Sequence, residues 1–165
     1  MPLLSEEDVF TALLGTPLSS PIFAKHLEQH HPPADRKPSS VKTFPATLFY
    51  NFKPLGISYS FDLRDKDPAT ARLAAIHLYS GLGASGKDYA AYCLPVALPH
   101  GIDLAKATGR DVVLALGEPS RKTKVPSCCL VYDGEVGFQV DLLAKDWEDP
   151  NARIECLTMW KDVVW

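Results

Sequence analysis

One pattern in this chain is written twice, and it constrains the fold more than any single motif. Sliding the sequence by 81 residues puts Gly56 on Gly137 and the alternating Ile57, Tyr59, Phe61 on Phe138, Val140, Leu142. The same shift lays Ala71-Arg72-Leu73 on Ala152-Arg153-Ile154, and Ile76, Leu78, Tyr79 on Leu157, Met159, Trp160. Asp67-Pro68 meets Asp149-Pro150 with a slip of one residue, which a turn absorbs. Apolar residues at every second position mark a strand with one wet face. A β-rich unit that recurs in this way points to a duplicated architecture.

Each copy follows a helix with punctuation at its end. Thr108 and Asp111 have the spacing of a capping box, Gly117 suits a left-handed helix end, and Pro119 blocks continuation. Residues 5–17 repeat the plan: Ser5 leads a helix over 5–14 with Val9, Phe10, Leu13 and Leu14 on one side, then come Gly15 and Pro17. These helix ends match at a shift of 102, not 81, so the first copy holds 21 extra residues. They correspond to a second helix and a loop. Ser20 caps that helix, Pro21 takes its first position, Ile22, Phe23 and Leu27 form its apolar side, and it ends at His31. Residues 32–45, rich in Pro, Ser and charge, read as an extended surface loop.

Strands are expected at 47–52, 56–63, 73–79, 91–98, 127–132, 136–143 and 153–161, with Asp133-Gly134 as a hairpin turn. Residues 64–70 read as a polar turn, and Arg121, Lys122 and Lys124 as a basic loop. The expected fold is α+β, a single domain over residues 1–165. Pseudo-repeats 1–80 (with 20–45 inserted) and 90–165 each supply a helix and a three-stranded antiparallel meander. The meanders join into one sheet with the helices on one face.

A helix ending in Leu-Gly-x-Pro before a meander resembles the tandem repeat of β-lactamase inhibitor proteins. It is similar also to the single repeat of the BamE/SmpA lipoproteins. The residues that carry the resemblance are Val112, Leu116, Gly117 and Pro119, with Phe10, Leu14, Gly15 and Pro17 in the first copy. It implies a scaffold used to grip other proteins.

Composition narrows the partners. With 17 basic and 20 acidic residues the net charge is −3, which gives no long-range pull toward nucleic acid or an anionic membrane. No apolar run approaches the ~18 residues of a membrane helix. Residues 1–8 lack the basic and apolar regions of a signal peptide, so a cytoplasmic protein is expected. Cys93, Cys128, Cys129 and Cys156 show no ligand or disulfide spacing, and three of them sit in apolar runs as inert thiols.

No catalytic motif emerges. Gly81-Leu-Gly-Ala-Ser-Gly-Lys87 copies a phosphate-binding loop up to its lysine, but Asp88 stands where Mg²⁺ needs a hydroxyl, and 89–95 starts a helix poorly. His26 and His30 share a helix face at a zinc-compatible spacing, yet Glu28 is misplaced for a metalloprotease and no third ligand is evident. They read as solvated histidines at a helix end, and neither a cofactor nor a metal is expected. No serine lies in a nucleophile elbow. Alternation instead collects polar and aromatic residues on one sheet face. If Ile76 and Leu78 point at the helices, His77 and Tyr79 point away, as do Thr158 and Trp160. Ser58, Ser60, Gln139 and Asp141 join them, with Trp147 at the rim in a polar loop. Such a face is expected to bind another protein, unless the 32–45 loop or the C-terminus covers it. The alternative is a small-molecule binder or enzyme with a pocket between helices and sheet.

Overall fold

The computed structural model describes residues 7–83, 88–124, 127–146 and 148–165. Among these residues three α-helices form: α1 (Glu7–Leu13), α2 (Pro21–His30) and α3 (Gly109–Leu116). Eight strands are β1 (Ser40–Thr43), β2 (Thr47–Phe52), β3 (Ile57–Arg64), β4 (Asp67–Tyr79), β5 (Arg121–Thr123), β6 (Cys128–Tyr132), β7 (Gly137–Leu143) and β8 (Arg153–Trp160). They form one antiparallel sheet in the order β1-β2-β3-β4-β8-β7-β6-β5. The class is α+β.

Each half thus contributes four strands, not the expected three. The extra strands lie where polar composition suggested loops. Residues 40–43 leave the Pro-rich stretch to pair with β2, and Arg121–Thr123 pairs with β6. Both are short edge strands, where charged side chains reach water and the apolar signal disappears. The polar turn after β3 contracts to Asp65 and Lys66, at φ 53° and 62°, so β4 begins at Asp67. The strand expected at 91–98 is absent. Its alternation is real, for Leu94, Val96 and Leu98 are buried. Pro95, however, cannot donate to a ladder, and the segment bonds irregularly through Ala90 N to Lys53 O and Tyr92 N to Tyr79 O.

The two inner strand pairs share one register. β3 faces β4 through Ile57↔Leu78, Ser58↔His77, Tyr59↔Ile76, Ser60↔Ala75, Phe61↔Leu73 and Asp62↔Arg72. β7 faces β8 through Phe138↔Met159, Gln139↔Thr158, Val140↔Leu157, Asp141↔Cys156, Leu142↔Ile154 and Leu143↔Arg153. Every pair is the other displaced by 81, and the irregularity at Ser60/Phe61 recurs at Asp141/Leu142. At the centre, β4 pairs β8 with His77 opposite Thr158, two positions also 81 apart.

The helices follow a different correspondence from the one their ends suggested. Before α2, Pro17 bridges Arg72; before α3, Thr108 bridges Arg153. Arg72 donates to the Gly15 carbonyl, and Arg153 to the Ala105 carbonyl. The chain therefore enters α2 as it enters α3, whereas the sequence had matched α1 with α3. Ser20 caps α2 with Pro21 at its first position, and Thr108 with Asp111 closes a capping box on α3. Phe23 of α2 packs edge-on against Tyr59 and Phe61, and Gly109 of α3 lies against Leu142. Those strand residues share one sheet face, where Phe10, Leu13, Ile76, Val112, Leu157 and Met159 complete the core.

Candidate functional site

The opposite face carries one row of side chains across all eight strands. Register sets its order: Ser40, Asn51, Ser58, His77, Thr158, Gln139, Val131 and Arg121. A strand's period of two puts these residues on the side away from the helix-facing core. Asn51 donates to Ser40 at 3.1 Å, and Ser58 to Asn51 at 2.6 Å. His77 Nδ1 meets Thr158 Oγ1 at 3.1 Å, and its Nε2 meets Ser60 Oγ at 3.4 Å. Burial holds the His77 imidazole down at about 4, with Asp141 opposing the shift. The central imidazole is neutral at pH 7.

Neighbouring rows supply aromatic walls. Ala75↔Trp160 and Tyr79↔Cys156 flank the His77↔Thr158 pair on either side. Trp160 lies flat over Gly137, where any added methyl would overlap its ring. It also borders a pocket of about 340 Å³ lined by Thr123, Ser127, Cys129, Val131, Gln139 and Arg121. Cys129 donates to Asp141 Oδ1 at 2.8 Å, which Gln139 Nε2 also approaches at 3.2 Å. Burial raises both Cys129 and Cys156, the latter to about 12, so these thiols are poor nucleophiles.

The sequence-derived residues are brought together unevenly. His77, Tyr79, Gln139, Thr158 and Trp160 share the face and are half-buried. Ser58 shares it but is only 1% exposed, its hydroxyl committed to Asn51. Trp147 lies outside the described residues. The Pro-rich stretch joins the edge of the sheet as β1, where Ser40 ends the row and Phe44 packs on Phe49 at 5.8 Å.

A second polar cluster, on the helix side, was misread from sequence. Of the two histidines read as solvated, His26 is 5% exposed and His30 half-buried, and His31 beside them is 3% exposed. The His26 and His31 rings both bond the buried Tyr59 hydroxyl, through Nε2 at 2.9 and 2.8 Å. His31 Nδ1 is 3.0 Å from the Asp35 carbonyl, which can only accept, so this nitrogen carries the proton. His31 Nε2 must then accept from Tyr59, and Tyr59 oxygen from His26 Nε2–H. Desolvation lowers both imidazoles, His26 to about 3. The available signal was the spacing of His26 from Phe23, which placed both on the buried side of α2. Tyr59→Phe should cost about 2 kcal/mol, because two buried ring nitrogens lose their partner at once. Thermal unfolding checks this, and an unchanged midpoint would show that water replaces the hydroxyl.

Residues 84–87 of the glycine loop lie outside the described residues. No helix follows in 88–98, so the dipole that holds a phosphate is missing there. Among the described residues no group of three His, Cys, Asp or Glu side chains is placed to hold a metal ion. None of the described helices is long and apolar enough to cross a membrane. The chain matches no family model, no curated protein and no solved structure.

Proposed function

We propose that this chain is a cytosolic protein-binding module, built by duplication of a helix–sheet unit, that uses the face bearing His77, Tyr79, Thr158 and Trp160. The observation that carries it is the centre of this face: His77, Tyr79, Gln139, Thr158 and Trp160, half-buried polar and aromatic groups, lie together on the side away from the helices. Aromatic groups beside satisfied polar ones are what protein interfaces are rich in. Duplication is supported by the two registers, which agree down to the position of the irregularity. Relation to the β-lactamase inhibitor scaffold is part of the same proposal, resting on the paired helix–sheet halves.

A small ligand is the second reading, and it has a specific place. Phe10, Phe23, Tyr59 and Phe61 fill the space between helices and sheet. A cavity of about 320 Å³ lies instead beside the linker, among Ala91, Val96, Leu98, Ile102 and Leu104. Its acidic residue, Asp103, is occupied by the Ala105 backbone N–H at 2.9 Å. Apolar walls without convergent polar groups favour packing over catalysis.

Thr158→Arg tests the interface reading. A guanidinium at the centre of the row should weaken partner capture from native lysate at least tenfold, since central disruptions commonly cost ~2 kcal/mol or more. Thermal unfolding within a few degrees of wild type is the necessary control. Undiminished capture by a folded variant removes this face as the site.

A further inference from the structure

The two halves of the face differ in one respect, and the difference names an occupant. Gly56, Ser58 and Tyr79 hold the same register places in the first half as Gly137, Gln139 and Trp160 in the second, each 81 residues on. In the first half the aromatic wall is covered. Tyr89 stacks on Tyr79 with ring centroids 3.9 Å apart and planes at 19°. Its hydroxyl interacts with Ser58 and Tyr79, and the following segment lies over Gly56. In the second half, no ring among the described residues stacks on Trp160, and the pocket of about 340 Å³ stands there instead.

We infer that the Trp160 pocket is a binding site for a tyrosine side chain of a partner polypeptide, seated on the indole as Tyr89 is seated on Tyr79. The inference rests on the protein-binding reading and sharpens it to one side chain. The template differs in one part, for the Trp160 ring itself takes the place over Gly137 that the 90–92 backbone takes over Gly56; the other parts have counterparts. The indole offers a larger stacking surface than the phenol it replaces, and stacked aromatic pairs gain beyond the area they bury. Gln139 stands in the place of Ser58, so a phenolic hydroxyl would meet an amide there. Val131 and Cys129 supply the apolar floor, while Thr123 and Ser127 line the pocket with hydroxyls. Arg121 is already held by Asp133 through two nitrogens, at 3.0 and 3.3 Å. A neutral phenol therefore suits the pocket better than a carboxylate.

The test uses the intact chain and N-acetyl-tyrosinamide, with N-acetyl-leucinamide as the apolar control. The Trp160 indole N–H resonance, assigned with Trp160→Leu, should shift saturably with the tyrosine probe. The leucine probe should shift it at least fivefold less at equal concentration. Gln139→Ala should weaken the tyrosine response severalfold while leaving the backbone spectrum otherwise intact. No saturable shift, or an equal shift with leucine, overturns the site without mutating it. Loss of partner capture in Thr158→Arg alongside a silent tyrosine titration would defeat this inference and spare the face. Undiminished capture alongside a specific tyrosine response would do the reverse.

Discussion

Lowering the pH from 7 to 5 should remove about 4 kcal/mol of stability, about 2 kcal/mol through each of His26 and His77. Both are held neutral in the fold, at about 3 and about 4, whereas in the unfolded chain they take up protons near the ordinary imidazole value of 6.5. A base with a depressed folded pKa stabilises the protein above its unfolded pKa. That contribution is lost as the pH falls toward the folded value. The groups around His26 give a proton no counter-charge: Phe10 from α1, Phe23 and His30 on its own helix, then His31 and Tyr59. Around His77 stand Phe49, Ser60 and Thr158, with the Asp141 charge opposing the shift. His31 is lowered too and adds to the loss. Asp62, raised by burial, works in the opposite direction. Urea unfolding at pH 7, 6 and 5 measures the effect. A flat profile would mean that these imidazoles are charged in the native state.

Gly56→Ala should destabilise the protein by about 2–5 kcal/mol, since strain and overpacking fall on one residue. Gly56 sits at φ 66°, and an added methyl would overlap the Ala90 carbonyl oxygen and the Tyr92 nitrogen, both backbone atoms. Gly137→Ala is the paired experiment. Its φ is not in the left-handed region, and only the Trp160 ring stands in the way. A side chain can swing aside where a backbone cannot. We therefore expect the second variant to lose less stability while its indole fluorescence changes. Equal losses in the two variants would show that the ring over Gly137 is as fixed as the strap over Gly56.

What was legible in the sequence was the part governed by burial. The inner strands declared themselves because Tyr59, Phe61, Val140 and Leu142 alternate with polar neighbours and are at most 3% exposed. The cap at Thr108 could be read because two side chains and two N–H groups satisfy each other locally. Outer strands were missed because β1 and β5 owe their conformation to a neighbour's backbone, not to their own side chains. The buried His26–Tyr59–His31 chain was missed for a related reason. Its partners come from α2, the helix end and β3, and no local pattern reveals that Tyr59 reaches between two histidines. The candidate face was legible as a list of alternating residues. That Tyr89 would stack on Tyr79, with no described ring stacked on Trp160, depended on an irregular segment with no period at all.

The central seam also sets an order of events in time. Within each half, successive strands are hairpin neighbours, so their pairing closes short loops. β4 and β8 meet across positions such as His77 and Thr158, and that closure waits for the whole second set of strands to be made. A chain emerging from the ribosome completes β1 to β4 first, with the β4 edge from Ala75 to Tyr79 unpaired until β8 arrives. Ile76 and Leu78, fully buried in the finished protein, flank that edge. The interval before β8 docks is when a second nascent chain could pair there instead. Docking of β8 thus buries the longest strand's exposed edge inside the sheet and leaves the short strands β1 and β5 at its margins.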